Sequence, residues 1–240
     1  MNSSPMFSKR FLLLLLSATV LLSGCSAVSG LLPEKKATNI LSGREGVNGK
    51  ILAVKIDDTN MAHPQIGLEK ADVVYIEQVE GGLTRLAAIF SSEIPSRIGP
   101  VRSARISDID ILSQYGRVAF AYSGAQRKLL PVIESANLVD LGAQHESSKI
   151  YTTDASRIQP YAMVLQADLL MQKIADKKLA VDQAKSVGFV FGDLQEGGKQ
   201  VQKVEINWPA ATYSAEWSPE EARWLLSHNS KLNVSESGYV

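Results

Sequence analysis

Acidic and basic side chains are concentrated between Lys55 and Arg105, among glycines and prolines. The residues of this segment that could do chemistry together are Asp57, Asp58, Glu77, Glu80, Arg85, Arg102 and Arg105. Guanidinium groups bind carboxylate or phosphate through paired hydrogen bonds, so three arginines in one place would make a pocket for an anion. We therefore predict that the three arginines, together with Asp57 and Asp58, form a ligand-binding site for an anionic group.

The arginines are expected to converge because of the elements that carry them. Pro100 suits the first turn of a helix running to about Tyr115, where its missing N–H does no harm. Arg102 and Arg105 would then share one helix face, near backbone N–H groups that favour an anion. Arg85 follows a Gly-Gly turn and would face them. The alternative is that four carboxylates pair with these arginines and only hold the fold, namely Asp57, Glu77, Glu80 and Asp108.

Two carboxylates of the same segment, Glu77 and Glu80, are the candidates for catalysis. A glycosidase needs two carboxyl groups flanking a sugar bond, one of them with a raised pKa. Residues i and i+3 of a strand point to opposite faces, so this pair would need the Gly-Gly turn to redirect Glu80. Aromatic rings near the C-terminus could stack on sugars or fill a small core. These are Trp208, Trp217 and Trp224.

The sequence predicts no metal and no cofactor. His145-Glu146 begins like a zinc-binding helix motif, but Lys149 stands where the second histidine is needed. His63 and His228 are far apart and lack the spacing of metal ligands, so each is predicted to be a surface or structural group. Two glycine-containing stretches, 43–50 and 192–199, also fail the pattern of a phosphate-binding loop.

Cys25 is the only cysteine, and it ends a segment that looks like a lipoprotein signal. A basic pair at 9–10 precedes an apolar run at 11–22, which is too short to span a bilayer. The tetrapeptide LSGC at 22–25 looks like a bacterial lipobox, whose thiol receives a diacylglycerol before cleavage. Two acyl chains anchor a protein stably. The sequence thus predicts a lipid anchor on Cys25 that holds the protein to the extracytoplasmic face of the cell membrane.

Charge and composition exclude one class of partner. The chain has 25 basic and 25 acidic residues, and removal of residues 1–24 takes away two basic residues and no acidic one. The remaining net charge is close to −2. A nucleic-acid partner would call for a clear basic excess, so none is predicted.

Hydrophobic periodicity predicts an α+β fold, with a mixed sheet and flanking helices followed by a small β-rich C-terminal region. Strands are predicted at 51–56, 72–79, 83–90 and 117–122, and helices at 100–115, 127–136 and 161–177. Gly81-Gly82 predicts an antiparallel hairpin, because paired glycines supply the positive φ of a tight turn. Short strands follow at 187–191, 201–206, 212–217 and 223–226.

These elements predict four parts of the chain. A signal peptide occupies 1–24, and a flexible tether occupies 25–44, whose apolar pairs at 31–32 and 40–41 could dock on the domain. An α+β domain spans 45–185, and the β-rich region spans 186–240.

Several short motifs identify a resemblance. They read KIDD at 55–58, HPQ at 63–65, GL at 67–68, ADVVY at 71–75, VEGGLTR at 79–85 and IGPVRSAR at 98–105. Together they resemble the YerB-like family of bacterial lipoproteins, which is defined by a domain of unknown function. The resemblance extends more loosely to about residue 226, and the strand-rich end resembles the separate C-terminal domain of that family.

The chain also departs from the family pattern. Family members typically have Asn where this chain has Asp58, and Arg where it has His63. A His-Ser/Gly-Gly run is replaced by YSGA at 122–125, and Pro-His-Asn is replaced by PYA at 160–162. A site built on those two polar motifs would be altered in this chain. The end at Val240 comes earlier than the family's C-terminal domain leads us to expect, which indicates a truncated or divergent domain.

The resemblance supplies no established activity. It implies an envelope lipoprotein, and we favour a binding or accessory role in cell-wall upkeep over catalysis. The partner would be an anionic cell-wall polymer or an envelope protein. One alternative is an enzyme that acts on wall glycan or on an anionic wall polymer. Another is a scaffold that contacts a membrane protein through the tether.

Overall fold

The computed structural model describes residues 37–192, 196–221 and 223–232, which belong to one compact unit. The predicted signal peptide, Cys25 and the first part of the predicted tether lie outside these residues. Within the described part of the chain, no helix is long and apolar enough to cross a membrane.

A mixed sheet with flanking helices and a separate antiparallel sheet make up the fold, which confirms the predicted α+β class. In chain order the strands are β1 (Leu52–Asp57), β2 (Val73–Gln78), β3 (Thr84–Phe90), β4 (Arg97–Ile98), β5 (Val118–Ala121), β6 (Leu138–Asp140), β7 (Tyr151–Thr153), β8 (Met163–Gln166), β9 (Lys203–Trp208), β10 (Ala211–Ser218), β11 (Arg223–His228) and β12 (Lys231–Leu232). The α-helices are α1 (Ile106–Ser113), α2 (Leu130–Ser135) and α3 (Ala167–Asp176).

The central sheet has the strand order β2-β3-β1-β5-β6. The β2–β3 and β3–β1 pairs are antiparallel, as the hairpin prediction required, and β5 and β6 continue the sheet in parallel. Successive side chains of a strand point to opposite faces. On β1, Val54 therefore belongs to the buried cluster that contains Leu170 of α3, and Ala53 to the cluster that contains Leu112 of α1. A smaller sheet, β4-β8-β7, lies beside this core.

The C-terminal antiparallel sheet, ordered β12-β11-β10-β9, contacts the central sheet at the β2–β3 turn. Gly82 has a φ of +72° there, and a Cβ on it would meet the ring of Pro209 at 2.8 Å, so only glycine fits this approach. The amide of Ala210 donates to the Gly82 carbonyl at 3.1 Å. Between the two sheets lies an apolar cleft of about 230 Å³, lined by Ile76 and Leu86 on one side and by Ile206 and Leu226 on the other.

All three predicted helices begin later than expected; α2 begins at Leu130 instead of residue 127, and the other two differ more. The helix predicted at 100–115 begins at Ile106, because the backbone of the preceding residues is already used by neighbouring strands. The amide of Asp57 donates to the carbonyl of Pro100 at 2.9 Å, and the amide of Arg102 donates to Lys55 at 2.8 Å. The helix predicted at 161–177 is helical only in α3, because Met163–Gln166 forms β8 and pairs with β4 and β7.

Two further predictions need correction. Residues 187–191 form no strand, although they were predicted as one. The ordered domain also begins earlier than residue 45, since Leu41 is fully buried in the core and Asn39 is buried as well. The end of the predicted tether is therefore part of the folded unit.

Candidate functional site

The register of the hairpin brings three predicted site residues together on one face of the central sheet. Arg85 on β3 lies directly opposite Glu77 on β2 and Asp57 on β1. Directly opposite residues of neighbouring strands project to the same face, so the guanidinium stands between two carboxylates. This face is the one that α1 covers.

Asp57 and Arg102 form the first ion pair of the cluster. Asp57 is almost fully buried, and its Oδ2 contacts Nε of Arg102. Its Oδ1 accepts the N–H and the O–H of Thr59, at 2.7 and 2.6 Å. The guanidinium of Arg102 also lies 5.7 Å from the ring centroid of Tyr161, within the range of a cation–π contact. Arg102 is therefore held from two sides.

Glu80 and Arg105 form the second pair. Nε and Nη2 of Arg105 donate to one carboxylate oxygen of Glu80, at 2.9 and 2.6 Å. These hydrogen bonds hold the pKa of Glu80 below its usual value. The Glu80 side chain is 58% exposed, so this pair lies at the surface. The Nη1 group of Arg105 donates to the carbonyl of Ala104 at 2.8 Å.

Arg85 differs from the other two arginines. Its guanidinium is half-buried, and Nη1 donates to the carbonyl of Ser103 at 2.9 Å. No carboxylate of the described residues lies within ion-pair distance of it. Burial lowers the pKa of Arg85 to about 10, and repulsion by Arg105 and Arg102 acts in the same direction. The three guanidinium groups are thus close enough to repel one another, and one of them has no carboxylate partner.

The predicted helical placement of Arg102 and Arg105 is wrong. Arg102 precedes α1 in extended chain, and Arg105 is the residue before its first turn. The carboxylate of Asp108 accepts the amide of Arg105 at 2.6 Å. A carboxylate of the chain itself therefore accepts the amide of the residue that precedes α1.

A buried ion cluster ties α1 to the sheet below the arginines. The fully buried ammonium of Lys55 contacts Glu77 and lies 2.8 Å from Oδ1 of Asp108. The O–H of Ser107 donates to the second oxygen of Glu77. Burial raises the pKa of Asp108 to about 6, although the Lys55 charge opposes this. The sequence contained a signal for the cluster, because Lys55 lies within an apolar run.

The two candidate catalytic carboxylates are both engaged in ion pairs. Glu77 contacts Lys55, and Glu80 accepts from Arg105, so the turn does redirect Glu80 toward the α1 side of the sheet. A general acid of a glycosidase needs a raised pKa, whereas that of Glu80 is lowered. The geometry therefore favours ion pairing over catalysis for Glu80.

An open cleft of about 340 Å³ adjoins the cluster between α1 and α2. Its polar lining comes from Glu80, Arg105, Gln126 and Lys128, and its apolar walls from Ile106, Leu129 and Val132. A ligand with one charged group and a carbon skeleton would find both kinds of contact there.

Two of the segments in which the chain is predicted to depart from the family pattern, 122–125 and 160–162, border the arginines. The amide of Ser123 donates to the carbonyl of Arg102, and the amide of Ala104 donates to Gly124, each at 2.9 Å. Tyr161 supplies the ring beside Arg102.

A second cluster lies on the other side of β1. The sequence did not predict its central pair, His63 and His228. Asp58, His63 and His228 place one ligand atom each within 4.8 Å of one another. The two imidazole rings stack, with centroids 4.6 Å apart. The sequence prediction that these histidines are separate groups is therefore corrected: the fold brings them together although they lie far apart in the sequence.

Hydrogen bonds from neighbouring side chains hold the carboxylate of Asp58 in this histidine cluster. The O–H of Thr84 donates to Oδ2 of Asp58 at 2.9 Å, and Gln65 donates to Oδ1 at 3.2 Å. His63 approaches the same Oδ1 at 3.2 Å. Burial lowers the pKa of His228, with Asp58 opposing and His63 adding to the effect.

The tryptophans are arranged on the C-terminal sheet. Trp217 and Trp224 are opposite each other on β10 and β11, with ring centroids 5.7 Å apart. They are 39% and 37% exposed, so they pack on one another and remain partly in solvent.

Comparison with known proteins gives one family and one protein with a solved structure. Residues 37–180 match the family described as "Protein of unknown function (DUF3048) N-terminal domain". The Bacillus subtilis (strain 168) protein named "Putative lipoprotein YerB" is 41% identical over 78 residues, a match that covers 32% of this chain and 21% of that protein. The crystal structure of YerB protein from Bacillus subtilis superposes with a TM-score of 0.68 at 20% identity, over 83% of this chain and 69% of that chain. The match to the family extends over more than half of the sequence, so the chain belongs to the DUF3048 family of proteins of unknown function, as its YerB-like motifs predicted.

Proposed function

We propose that this protein is a lipid-anchored envelope protein that binds an anionic group of a cell-wall polymer at Arg85, in an accessory role. The observation that carries the proposal is the half-buried guanidinium of Arg85, which has no carboxylate within ion-pair distance among the described residues. A guanidinium has five N–H donors. The guanidinium of Arg85 uses one of these donors in its hydrogen bond to the carbonyl of Ser103, and other N–H groups remain for a ligand.

The charges of the cluster support the same proposal. Arg102 is paired with Asp57, and Arg105 with Glu80. Each of these arginines thus has its own carboxylate partner, whereas Arg85 has none within ion-pair distance among the described residues. Burial is the main cause of the lowered pKa of Arg85, and repulsion by Arg105 and Arg102 is the second; an anion placed beside the guanidinium would offset that repulsion. Phosphate and carboxylate both match the fork geometry of guanidinium.

The test is thermal unfolding of the purified full chain in increasing inorganic phosphate at constant ionic strength. A ligand that binds only the folded state stabilises it, by about 2.7 kcal/mol at a hundred times the dissociation constant. Arg85→Gln should abolish the phosphate-dependent rise in Tm. Arg85→Lys should lose most of it, because an ammonium cannot make paired contacts.

Arg97→Gln is the matched control, since Arg97 is a partly exposed arginine that pairs with Asp154 on another sheet. It should keep the phosphate-dependent rise. Purified anionic wall polymer should reproduce the rise, whereas neutral glycan fragments should not. An absent shift with every anion, or an equal shift in Arg85→Gln, would overturn the proposal.

The membrane anchor is tested separately. Cys25→Ser removes the thiol that the predicted lipidation requires. We expect loss of metabolic acyl labelling, with the protein either left uncleaved or released in soluble form. Labelling of the serine variant at the level of the unaltered chain would overturn the anchor and leave the phosphate result untouched.

A further inference from the structure

We propose that Asp58, His63 and His228 form a binding site for one divalent transition metal ion, with Zn²⁺ the best match. Two imidazoles and one carboxylate are a typical zinc donor set, and they leave a fourth position open. One ligand atom from each residue already lies within 4.8 Å of the other two.

A ring nitrogen of His228 is buried and unsatisfied within the part of the chain that the structure describes. His228 is 5% exposed, and its buried Nε2 has no hydrogen-bond partner among the described residues. Oε1 of the neighbouring Gln65 is also buried without a partner. Buried polar atoms are nearly always satisfied, so an unpaired ring nitrogen beside a buried carboxylate calls for an explanation. A metal ion would satisfy it.

Neighbouring side chains orient the Asp58 carboxylate through hydrogen bonds. Asp58 is 2% exposed; the O–H of Thr84 donates to its Oδ2, while its Oδ1 faces His63 and the side-chain amide of Gln65. An ionised carboxylate only accepts hydrogen bonds, so the hydroxyl of Thr84 donates its proton to Asp58. The oxygen of that hydroxyl then accepts from the O–H of Tyr213, which lies 2.6 Å away. The chain Tyr213–Thr84–Asp58 is the kind of outer-shell support that orients a metal ligand.

The proposed metal site can be reached from solvent. A cleft of about 270 Å³ opens onto the cluster, with Asp58, Tyr161 and His228 among its lining residues. An ion and a water ligand could enter from that side. Ligand atoms around a tetrahedral Zn²⁺ with bonds of about 2.1 Å lie roughly 3.4 Å apart. The three residues must therefore draw closer on binding, and His228 would pull β11 toward the central sheet.

The experiment measures metal binding to the purified full chain after treatment with a chelator. Titration calorimetry with Zn²⁺ should give one site. Co²⁺ should produce the visible absorption of a tetrahedral N/O site. His63→Ala and His228→Ala should each weaken Zn²⁺ binding by more than about 100-fold, a larger effect than loss of an outer-shell group. Thr84→Val should weaken it by about 10- to 100-fold.

His145→Ala is the control, because His145 is a half-exposed histidine that faces Asp140 elsewhere in the fold. It should bind Zn²⁺ as the unaltered chain does. Circular dichroism and Tm without metal show that each variant is folded, and His63→Gln replaces His63→Ala if the latter is not. The proposal is overturned if Zn²⁺ does not bind, or if it binds folded His63 and His228 variants with unchanged affinity.

Discussion

Asp57 and Asp58 are neighbours at the end of β1, yet they serve two clusters on opposite faces of the central sheet. Asp57 contacts Arg102 on the α1 side. Asp58 lies with His63 and His228 on the side of the C-terminal sheet. The period of two along a strand sends consecutive side chains in opposite directions, so one strand end supplies a carboxylate to each site.

The two clusters differ in how they are held. On the Asp57 side the buried charges of Lys55, Glu77 and Asp108 connect three elements of one domain. On the Asp58 side one buried carboxylate accepts hydrogen bonds from the uncharged donors Thr84 and Gln65, two imidazole rings stack, and one of these rings comes from β11. Buried charge is costly to disturb, whereas exchangeable hydrogen bonds are cheaper to break. We infer that the first side determines folding, and that the second determines how firmly the C-terminal sheet is attached.

The largest expected effect is on the charged side. Lys55→Met keeps the side-chain volume but leaves the carboxylates of Glu77 and Asp108 buried without a cation. Breaking a buried ion pair from one side costs about 3–5 kcal/mol, so the free energy of unfolding should fall by that amount in urea titrations.

The exposed pair of Lys70 and Glu93 provides the control, since its side chains are 42% and 60% exposed. Lys70→Met should change stability by less than about 1 kcal/mol. Adding Glu77→Gln to Lys55→Met should recover part of the loss, because it removes one of the two uncompensated charges. A Lys55→Met protein as stable as the Lys70 variant would break the contrast between the two sides.

The pH dependence of stability sharpens the same contrast. The folded-state pKa of Asp108 is about 6, above its ordinary value of 3.8, so the folded protein holds this proton more tightly than the unfolded chain. The stability that Asp108 contributes is therefore full below about pH 4 and is lost as pH rises through 6. Asp108→Asn should remove this fall from a series of urea titrations between pH 4 and 7.

Asp110→Asn removes an exposed carboxylate from the same helix and is the matched control. The difference in stability between the unaltered chain and Asp108→Asn should change with pH in the direction given above. A difference that is constant from pH 4 to 7 would contradict the raised pKa and leave Asp108 as an ordinary ionised partner of Lys55.

The elements that the sequence predicted well are those whose pattern is local. The alternation and β-branched residues of 51–56, 72–79 and 83–90 predicted β1, β2 and β3, and Gly81-Gly82 predicted their turn. Met163 and Leu165 also fit a helical stripe, but their backbone pairs with β4 and β7, which the local pattern cannot reveal. Tertiary pairing overrode propensity in the same way before α1.

Of the two clusters, the sequence predicted only the one whose residues lie close together along the chain. The arginines and their carboxylates all lie between residues 57 and 105, so motif and spacing were enough to group them. His63 and His228 meet only because β11 folds back on the central sheet. The sequence offered a single weak signal, namely that they are two of only three histidines.

A smaller effect is expected where the C-terminal sheet is attached. Thr84→Val preserves shape but removes the hydroxyl that joins Asp58 to Tyr213. Loss of a buried hydrogen bond costs about 1–3 kcal/mol. Hydrogen exchange should show faster opening of β10 and β11, with little change in β1 and β3.

Thr152→Val controls for removal of a hydroxyl from a strand, because Thr152 accepts from Gln166 on the small sheet. Exchange in β10 and β11 should remain as in the unaltered chain. If Thr84→Val instead accelerated exchange equally in β1 and β3, the C-terminal sheet would be as integral to the fold as the charged side.

The smallest expected effect on stability lies at the surface of the arginine cluster. Glu80 is 58% exposed, so its pair with Arg105 contributes about 0.2–1 kcal/mol. Its lowered folded-state pKa means that this contribution is present above its ordinary value of 4.5 and is lost as pH falls below it. Glu80→Gln should remove this small acid-sensitive increment. Glu93→Gln, another exposed carboxylate with a cationic partner, is the control.

Glu80→Gln should lower stability slightly but strengthen the binding of an anion, so the substitution tests whether the arginines bind one. A neutral amide in place of the Glu80 carboxylate would leave Arg105 unpaired beside Arg85 and would remove a negative charge that repels an incoming anion. Phosphate should then raise the Tm of Glu80→Gln more than that of the unaltered chain, with the excess reduced by added salt. Glu93→Gln should show no excess. A protein that is slightly less stable without phosphate and more strongly stabilised by it is expected only if the arginines bind an anion. If Glu80 serves the fold alone, the first change should occur without the second.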